Sequence, residues 1–246
     1  MHLDKDVQSN NITISSNALA VSEYYDWLID MFAHYLGDRV LEIGAGIGTI
    51  SERIALHART LVVSETDTEC FKIIKPKIES IQSSCNVEFA AYTLGEPCPK
   101  SFKQYPFDSV VITNVLEHVP DDGMALSHLR DIMKQHARLI IFVPAMEGIY
   151  CTLDKALGHY RRYSKQSLQN CLHNAGYNIM EIKYVNFIGI FGWWLNGRVL
   201  RRKVVPEPNF RYFKYLLPLV RVIESRVSLP FGISLLAIGE KQGGTP

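Results

Sequence analysis

The sequence predicts an α/β protein in which parallel strands alternate with helices that cover both faces of one open sheet. Three observations carry this expectation. Short runs rich in Val, Ile and Leu alternate along the chain with longer stretches whose apolar residues recur at helical spacing. One run, ARLIIFVP, is apolar from Leu139 to Pro144, as a strand buried on both faces must be. The first run, RVLEIG, leads into three glycines within five residues, Gly44, Gly46 and Gly48, before helical spacing resumes.

Taken in order, residues 1–20 read as a polar arm and 21–246 as a single domain with an insert at about 187–232. SEYYDWLIDMFAHYLG places Leu28, Met31, Phe32, Tyr35 and Leu36 at helical spacing, with Ser22 as cap and Gly37 as stop. RVLEIG is the first strand, and a helix through TISERIALHA follows the glycine turn. TLVVSE is the second strand. DTECFKIIKPKIESIQ reads as a helix bent or restarted around Pro76. NVEFAAYT and FDSVVITN are the third and fourth strands. GMALSHLRDIMKQ is helical through Met124, Leu126, Leu129 and Met133, and ARLIIFVP is the fifth strand. SKQSLQNCLHNAG is a capped helix ending at Gly176, and YNIMEIKYVN and ISLLAIGEK are the last two strands. Crossovers in such βαβ units are right-handed, and ligands bind beyond the carboxyl ends of the strands at the switch point. Functional residues are therefore expected just after strands one to five.

Composition narrows the class. A chain of 246 residues fits one large domain with a sizeable core, and 47% hydrophobic with 21% charged residues is ordinary for a globular protein. A formal net charge of +1 supplies no global field for nucleic acid, so no nucleic-acid partner is expected. Cys70, Cys85, Cys98, Cys151 and Cys171 are odd in number and form no CxxC pair, which reads as reduced thiols. The polar N-terminal stretch lacks the apolar segment of a signal peptide, and no stretch approaches the ~20 apolar residues that span a bilayer. A cytoplasmic protein is the expectation, with peripheral membrane contact left open.

The glycine turn asks which nucleotide it serves. A dinucleotide fingerprint, GxGxxG, would put its third glycine at position 49, which is Thr49; here the third glycine is Gly48 and the pattern is Glu42-x-Gly44-x-Gly46-x-Gly48. Glu42 at the strand end can face a cationic amino group. Gly44 and Gly46 let the backbone approach a ligand with no Cβ between. Glu65, at the end of the second strand, can accept from both ribose hydroxyls. An acid there suits a dinucleotide enzyme equally, so it does not discriminate.

VLEIGAGIGTIS, VVSETD and FDSVVITNVLEHVPDD, in this order and spacing, resemble motifs of the class I S-adenosylmethionine-dependent methyltransferases. VPAMEGIYCTLDKALGHYRRYSKQSL and PFGISLLAIGEK resemble a bacterial subgroup of that class with an HxRRY signature. The resemblance implies a Rossmann-like sheet of seven strands, mostly parallel, the last one antiparallel. It implies S-adenosyl-L-methionine as methyl donor and S-adenosyl-L-homocysteine as product. Carried over by position, the turn from Gly44 through Ala45 and Gly46 to Gly48 holds the methionyl part, Glu65 and Thr66 lie at the ribose, and Asn114, Val115 and Leu116 line the sulfonium side. The family's aspartate after the third strand is replaced by Thr93, an uncharged candidate for the adenine contact.

Methyl transfer needs alignment and, for a hydroxyl or ammonium acceptor, a base. His118, in LEHVP after the fourth strand, and His159, in GHYRRY, are the two catalytic candidates. Within the class that the motifs resemble, ubiquinone-pathway O-methyltransferases hold a divalent metal on an acid-rich form of the LEH turn. Thr113 stands here where an acid is needed, so no metal is expected. Tyr160, Arg161, Arg162 and Tyr163 are acceptor candidates: one arginine pairs with an acid such as Asp154, and the other meets an anionic acceptor group.

The late insert joins FIGIFGWWLNGRVLRRK, with Trp193 and Trp194 as acceptor candidates, to YFKYLLPLVRVIESR, where Tyr212, Tyr215, Leu216, Leu219, Val220 and Ile223 fall on a helical stripe. Three readings stand: a lid or floor over a bulky apolar acceptor, a membrane-facing patch over 187–225 with basic residues toward anionic lipid, or core plus a homodimer contact. The expected partner is a small-molecule or lipid-linked acceptor. The rival functions are an NAD or nucleotide-sugar oxidoreductase, which lacks a Tyr-xxx-Lys pair here, and a non-catalytic donor-binding scaffold.

Overall fold

The computed structural model describes residues 22–81, 83–204 and 207–243; the expected arm at 1–20 lies outside them. Among the described residues there are seven strands: β1 (Arg39–Ile43), β2 (Thr60–Ser64), β3 (Asn86–Ala90), β4 (Phe107–Thr113), β5 (Met133–Pro144), β6 (Tyr177–Val185) and β7 (Ser234–Lys241). They form one sheet in the order β3-β2-β1-β4-β5-β7-β6. Strands β1 to β5 pair in parallel, while β7 runs antiparallel between β5 and β6. This is the expected Rossmann-like sheet. Its order reverses between β1 and β4, so a crevice opens above their carboxyl ends.

The helices are α1 (Ser22–Phe32), α2 (Ser51–Ile54), α3 (Thr68–Ser80), α4 (Lys100–Gln104), α5 (Asp122–Leu129), α6 (Thr152–Leu157), α7 (Lys165–Asn174), α8 (Gly189–Trp193) and α9 (Glu207–Arg226). Alternation along each strand splits the core into two layers. Leu41, Ile43, Ile112, Leu139 and Ile141 meet Leu126 and Leu129 of α5 and Leu168 and Leu172 of α7. Val40, Val111, Ile140 and Phe142 meet Phe32, Ile54 and Ile74, together with Leu217 and Val220 of α9. Both faces of the central strands are thus covered, which is why their sequences are apolar without alternation.

Three elements differ from expectation. The helix after the glycine turn is one turn long: beyond Ile54 the bonds tighten, with Leu56 donating to Arg53 and His57 to Ile54, and the chain swings into β2. Pro76 does not restart α3, which runs unbroken from Thr68 to Ser80 with Pro76 on its exposed side, where a carbonyl deprived of its N–H partner is open to solvent. Met133 begins β5 instead of ending a helix, because it pairs with Phe107 across a bulge and is buried there.

The insert packs on the sheet. After β6 the chain turns at Asn186, runs through α8 into a π-helix over Trp194–Val199, and returns as α9. The Glu224 carboxylate on α9 accepts from the backbone N–H groups of Asn186 and Phe187 at 3.1 and 2.9 Å, anchoring the helix at the exit of β6. Among the described residues, no helix is long and apolar enough to cross a membrane.

Candidate active site

A cavity of about 1080 Å³ lies over the carboxyl ends of β1, β2 and β4 and extends under the insert. Two regions of different construction form its walls.

The first is made by backbone. Gly44, Gly46 and Gly48 hold φ of 73°, 56° and 80°, a left-handed conformation that costs a side-chain-bearing residue energy. Their roles differ. A Cβ on Gly46 would meet nothing within 4 Å, so this position opens onto the cavity, whereas one on Gly44 would strike Val115 Cγ2 at 2.3 Å. Gly44 lines the cavity and is also required by packing against the turn after β4. Gly48 faces Ile74, where a Cβ would sit 3.0 Å from the side chain, and it does not line the cavity. Glu65 closes the far edge: one carboxylate oxygen accepts from the Gly46 N–H at 2.8 Å, and the other from the Thr66 and Asp67 N–H groups at 2.7 and 3.1 Å.

Glu42, Ala45, Thr66, Thr93, Asn114 and Val115 also line the cavity; Leu116 does not, because its side chain is wholly buried in the core. Glu42 is 2% exposed, one of its oxygens has no partner, and burial pushes its carboxyl up to about 7. Asn114 holds φ 53° at the end of β4, a left-handed turn that asparagine tolerates.

The second region is made by side chains. His159 Nδ1 lies 3.0 Å from Asp154 Oδ1, and Asp154 is also bound by Arg162 Nε at 2.8 Å and Trp193 Nε1 at 3.1 Å. Burial alone would raise Asp154, but the hydrogen bond from His159 and the Arg162 guanidinium hold it far below the ordinary carboxylate range. An ionised Asp154 only accepts, so Nδ1 of His159 is the protonated nitrogen and Nε2 presents a bare lone pair when the ring is neutral. That Nε2 lies 3.9 Å from Glu117 Oε1. Glu117 is fully buried, neither of its oxygens has a partner, and burial pushes its carboxyl up to about 7 against the pull of His159 and Arg162. The His118 ring stands edge-on to His159 at 4.9 Å, with Nδ1 3.2 Å from the Gly158 carbonyl. Burial and the neighbouring His159 lower His118 to about 4, so it is neutral at physiological pH.

The two histidines expected from sequence are therefore brought together on the cavity wall. The acceptor candidates divide. Arg162 and Trp193 line the cavity, with the guanidinium 4.9 Å over the Trp193 ring. Arg162 is the arginine that pairs with Asp154, and it also binds the Ala145 and Ile233 carbonyls, so it serves as a clamp. Arg161 turns away to pair with Asp122 at 2.7 Å. Tyr163 is buried in the core and donates to Asp122 Oδ2 at 2.7 Å, and Tyr160 and Trp194 point outward. None of these four lines the cavity. Residues not singled out from sequence also line it: Tyr24 and Tyr25 of α1, Glu117, and Asn186 after β6.

Glu117, His118 and His159 place one ligand atom each within 4.8 Å of one another. Thr113 removes a charge from the expected metal pattern, but His159, from a segment far along the chain, supplies a third donor. Each histidine has its Nδ1 held from behind, the arrangement that orients imidazole toward a cation.

The sheet order, the glycine turn and the acid after β2 together define a Rossmann-like fold with a nucleotide-type crevice at its switch point. A profile of the methyltransferase domain family matches residues 19–182, and the chain belongs to that family. It is 32% identical over 175 residues to a ubiquinone biosynthesis O-methyltransferase of Paraburkholderia phymatum, covering 65% of this chain and 72% of that one. It is 25% identical over 159 residues to the enzyme of the same name from Xanthomonas euvesicatoria, covering 59% of this chain and 65% of that one; the match thus spans just under two thirds of that relative. Among solved structures, it resembles magnesium protoporphyrin IX methyltransferase of Synechocystis with bound S-adenosylhomocysteine, at TM-score 0.58 and 14% identity over 93% of this chain and 87% of that one. The N-methyltransferase NodS of Bradyrhizobium japonicum, also with S-adenosylhomocysteine, matches at TM-score 0.56 and 12% identity over 90% and 87%. This chain shares the fold of both structures that hold S-adenosylhomocysteine, and its own residues fit that group: the space before Gly46 is open, and the unpartnered Glu42 oxygen suits a cationic ligand.

Proposed function

We propose that the enzyme methylates a hydroxyl oxygen of an apolar small-molecule or lipid-linked acceptor, with His159 as general base. The carrying observation is the Asp154–His159 pair, which engages Nδ1 and leaves Nε2 as the nitrogen free to take a proton in a residue that lines the cavity. The donor's methionyl amino group is assigned to Glu42, its ribose to Glu65, and its sulfonium side to Asn114 and Val115. The acceptor's apolar body lies between Leu157, Ile188, Phe191 and Trp193, and its hydroxyl points at His159. In-line attack of that oxygen forms the O–CH3 bond as the S–CH3 bond breaks, its electron pair staying on sulfur. His159 takes the hydroxyl proton, and the imidazolium formed is flanked by Asp154 and Glu117. The O-methyltransferase names of the curated relatives support an oxygen acceptor.

The Glu117, His118 and His159 set favours a second reading, in which these three hold a divalent cation. Such an ion would lower the pKa of the acceptor hydroxyl. Incubating the enzyme with a small-molecule and lipid extract and 13C-methyl donor tests both. A labelled methyl in the methoxy region supports the oxygen reading, and label on nitrogen or carbon overturns it. Turnover that survives exhaustive chelation supports His159 acting alone; loss with EDTA, restored by magnesium, selects the cation.

A further inference from the structure

The insert hides a charge separation that the net charge of +1 conceals. Residues 187–232 hold eight of the chain's 26 Lys and Arg residues and two of its 25 acidic ones, so the segment carries +6 and the remainder −5. One of the two acids, Glu224, is committed inward to backbone N–H groups. Arg198, Arg201, Arg202 and Lys203 are all exposed, and Val199, Leu200 and Val204, exposed as well, lie among them.

The same segment exposes its apolar side chains. On α9, Leu217 and Val220 pack into the core, while Tyr215, Leu219 and Val222 fall on the opposite side of the helix, at 81%, 55% and 48% exposure. The stripe expected from sequence therefore merges two faces, and the outer one has no partner within the described chain. A helix apolar on both sides is covered by something. α8 and the π-helix expose Phe191, Trp194 and Leu195 as well. Phe191, Leu195 and Leu216, all exposed, also line the active-site cavity, so the cavity reaches the exposed apolar side chains of this segment.

We propose that this surface docks on an anionic lipid bilayer, aromatic and aliphatic side chains entering the headgroup boundary and the arginines and Lys203 meeting lipid phosphates. Charge decides between a membrane and a second copy of the chain: a two-fold contact sets the same patch against itself and opposes two segments of +6. Basic residues interleaved with aromatics are the composition that binds anionic interfaces. The cavity, where it reaches the docked surface, then admits an acceptor directly from the bilayer. That last step rests on the apolar acceptor proposed above; docking itself does not.

Vesicle flotation of the full chain reads docking without turnover. Vesicles of equal parts phosphatidylglycerol and phosphatidylcholine should carry the protein. Pure phosphatidylcholine, or 1 M NaCl where the screening length is about 3 Å, should lower binding at least tenfold. The triple substitution R198E/R201E/K203E should lose binding at least tenfold. L219S/V222S should weaken it while S-adenosylhomocysteine affinity and melting temperature hold. Brominated lipid should quench tryptophan emission, and the quenching should fall with Trp194→Phe. Equal binding to neutral and anionic vesicles, or none to either, overturns the proposal. So does a dimer in sedimentation that L219S/V222S breaks, since the occupant is then a second copy. Docking without transfer to any apolar hydroxyl leaves this proposal standing and removes only the acceptor reading.

Discussion

The two ends of the cavity are built from different materials. At the glycine turn the groups offered to a ligand are mainly backbone, held by three left-handed glycines, and Glu65 already has both oxygens engaged by N–H groups. At the far end the groups are side chains: His118, His159, Glu117 and Asp154 within one desolvated cluster, tied by Arg162 and Trp193 to the insert. Backbone supplies fixed partial charges whose protonation does not vary, which suits a constant cofactor. Side chains titrate and can be exchanged, which suits the chemical step and a particular acceptor. The first end should therefore fail by losing affinity, the second by losing turnover or stability.

The largest effect is expected at the second end. His159→Ala should lower turnover by about 10²–10⁴-fold, the usual worth of a general base, with S-adenosylhomocysteine affinity within about threefold. Steady-state kinetics beside calorimetry checks this, and a joint loss of both would erase the division between the ends. Arg162→Ala removes the cationic clamp on a fully buried carboxylate and should cost about 3–5 kcal/mol of stability, read by denaturant unfolding. A cost below ~1 kcal/mol would show that Asp154 is held by His159 and Trp193 alone.

At the first end, Gly46→Val should weaken S-adenosylhomocysteine about 100-fold or more while the protein stays folded. The added side chain enters space open in the protein and assigned to the donor, and a β-branched residue resists φ of 56°. Near-native affinity in a folded variant would move the donor off this turn.

The same contrast explains what could be read in advance. Gly44, Gly46, Glu42 and Glu65 stand at fixed spacings around one strand–turn–helix unit and its neighbour, so local sequence places them. The strands are legible because the central ones are buried on both faces. The meeting of His159 with Glu117 is not, because α6 and its αL turn at Gly158 bring together positions 42 residues apart. Arg161 and Arg162, adjacent in sequence, end in separate environments, one paired with Asp122 and one sealed against Asp154. Tyr24 and Tyr25 reach the cavity because α1 packs over the sheet, and spacing alone carries no sign of that. The π-helix leaves no periodic signature either.

The smallest effect sharpens the side-chain end and turns on pH. Glu117 sits beside His159 with no hydrogen bond to either oxygen, its carboxyl raised by burial from the ordinary 4.5 to about 7. A carboxyl whose folded pKa exceeds its unfolded value favours folding only while protonated. Its stabilising share is complete below about 4.5 and is lost as pH rises through about 7. Glutamine keeps the shape and cannot ionise. Glu117→Gln should therefore nearly match the parent at pH 4 and exceed it by about 1–3 kcal/mol at pH 8, since each tenfold change in proton affinity on folding is worth about 1.4 kcal/mol and His159 compensates in part. Urea melts at the two pH values measure the difference. A variant less stable than the parent at pH 8 would mean that the ionised carboxylate has a binding partner in the native protein. Chelation of the parent would then show whether that partner is a divalent cation: if it lowers the parent to the variant's stability, the cluster is a metal site, and if it does not, the ion pair with His159 is strong enough to outweigh the burial of both charges.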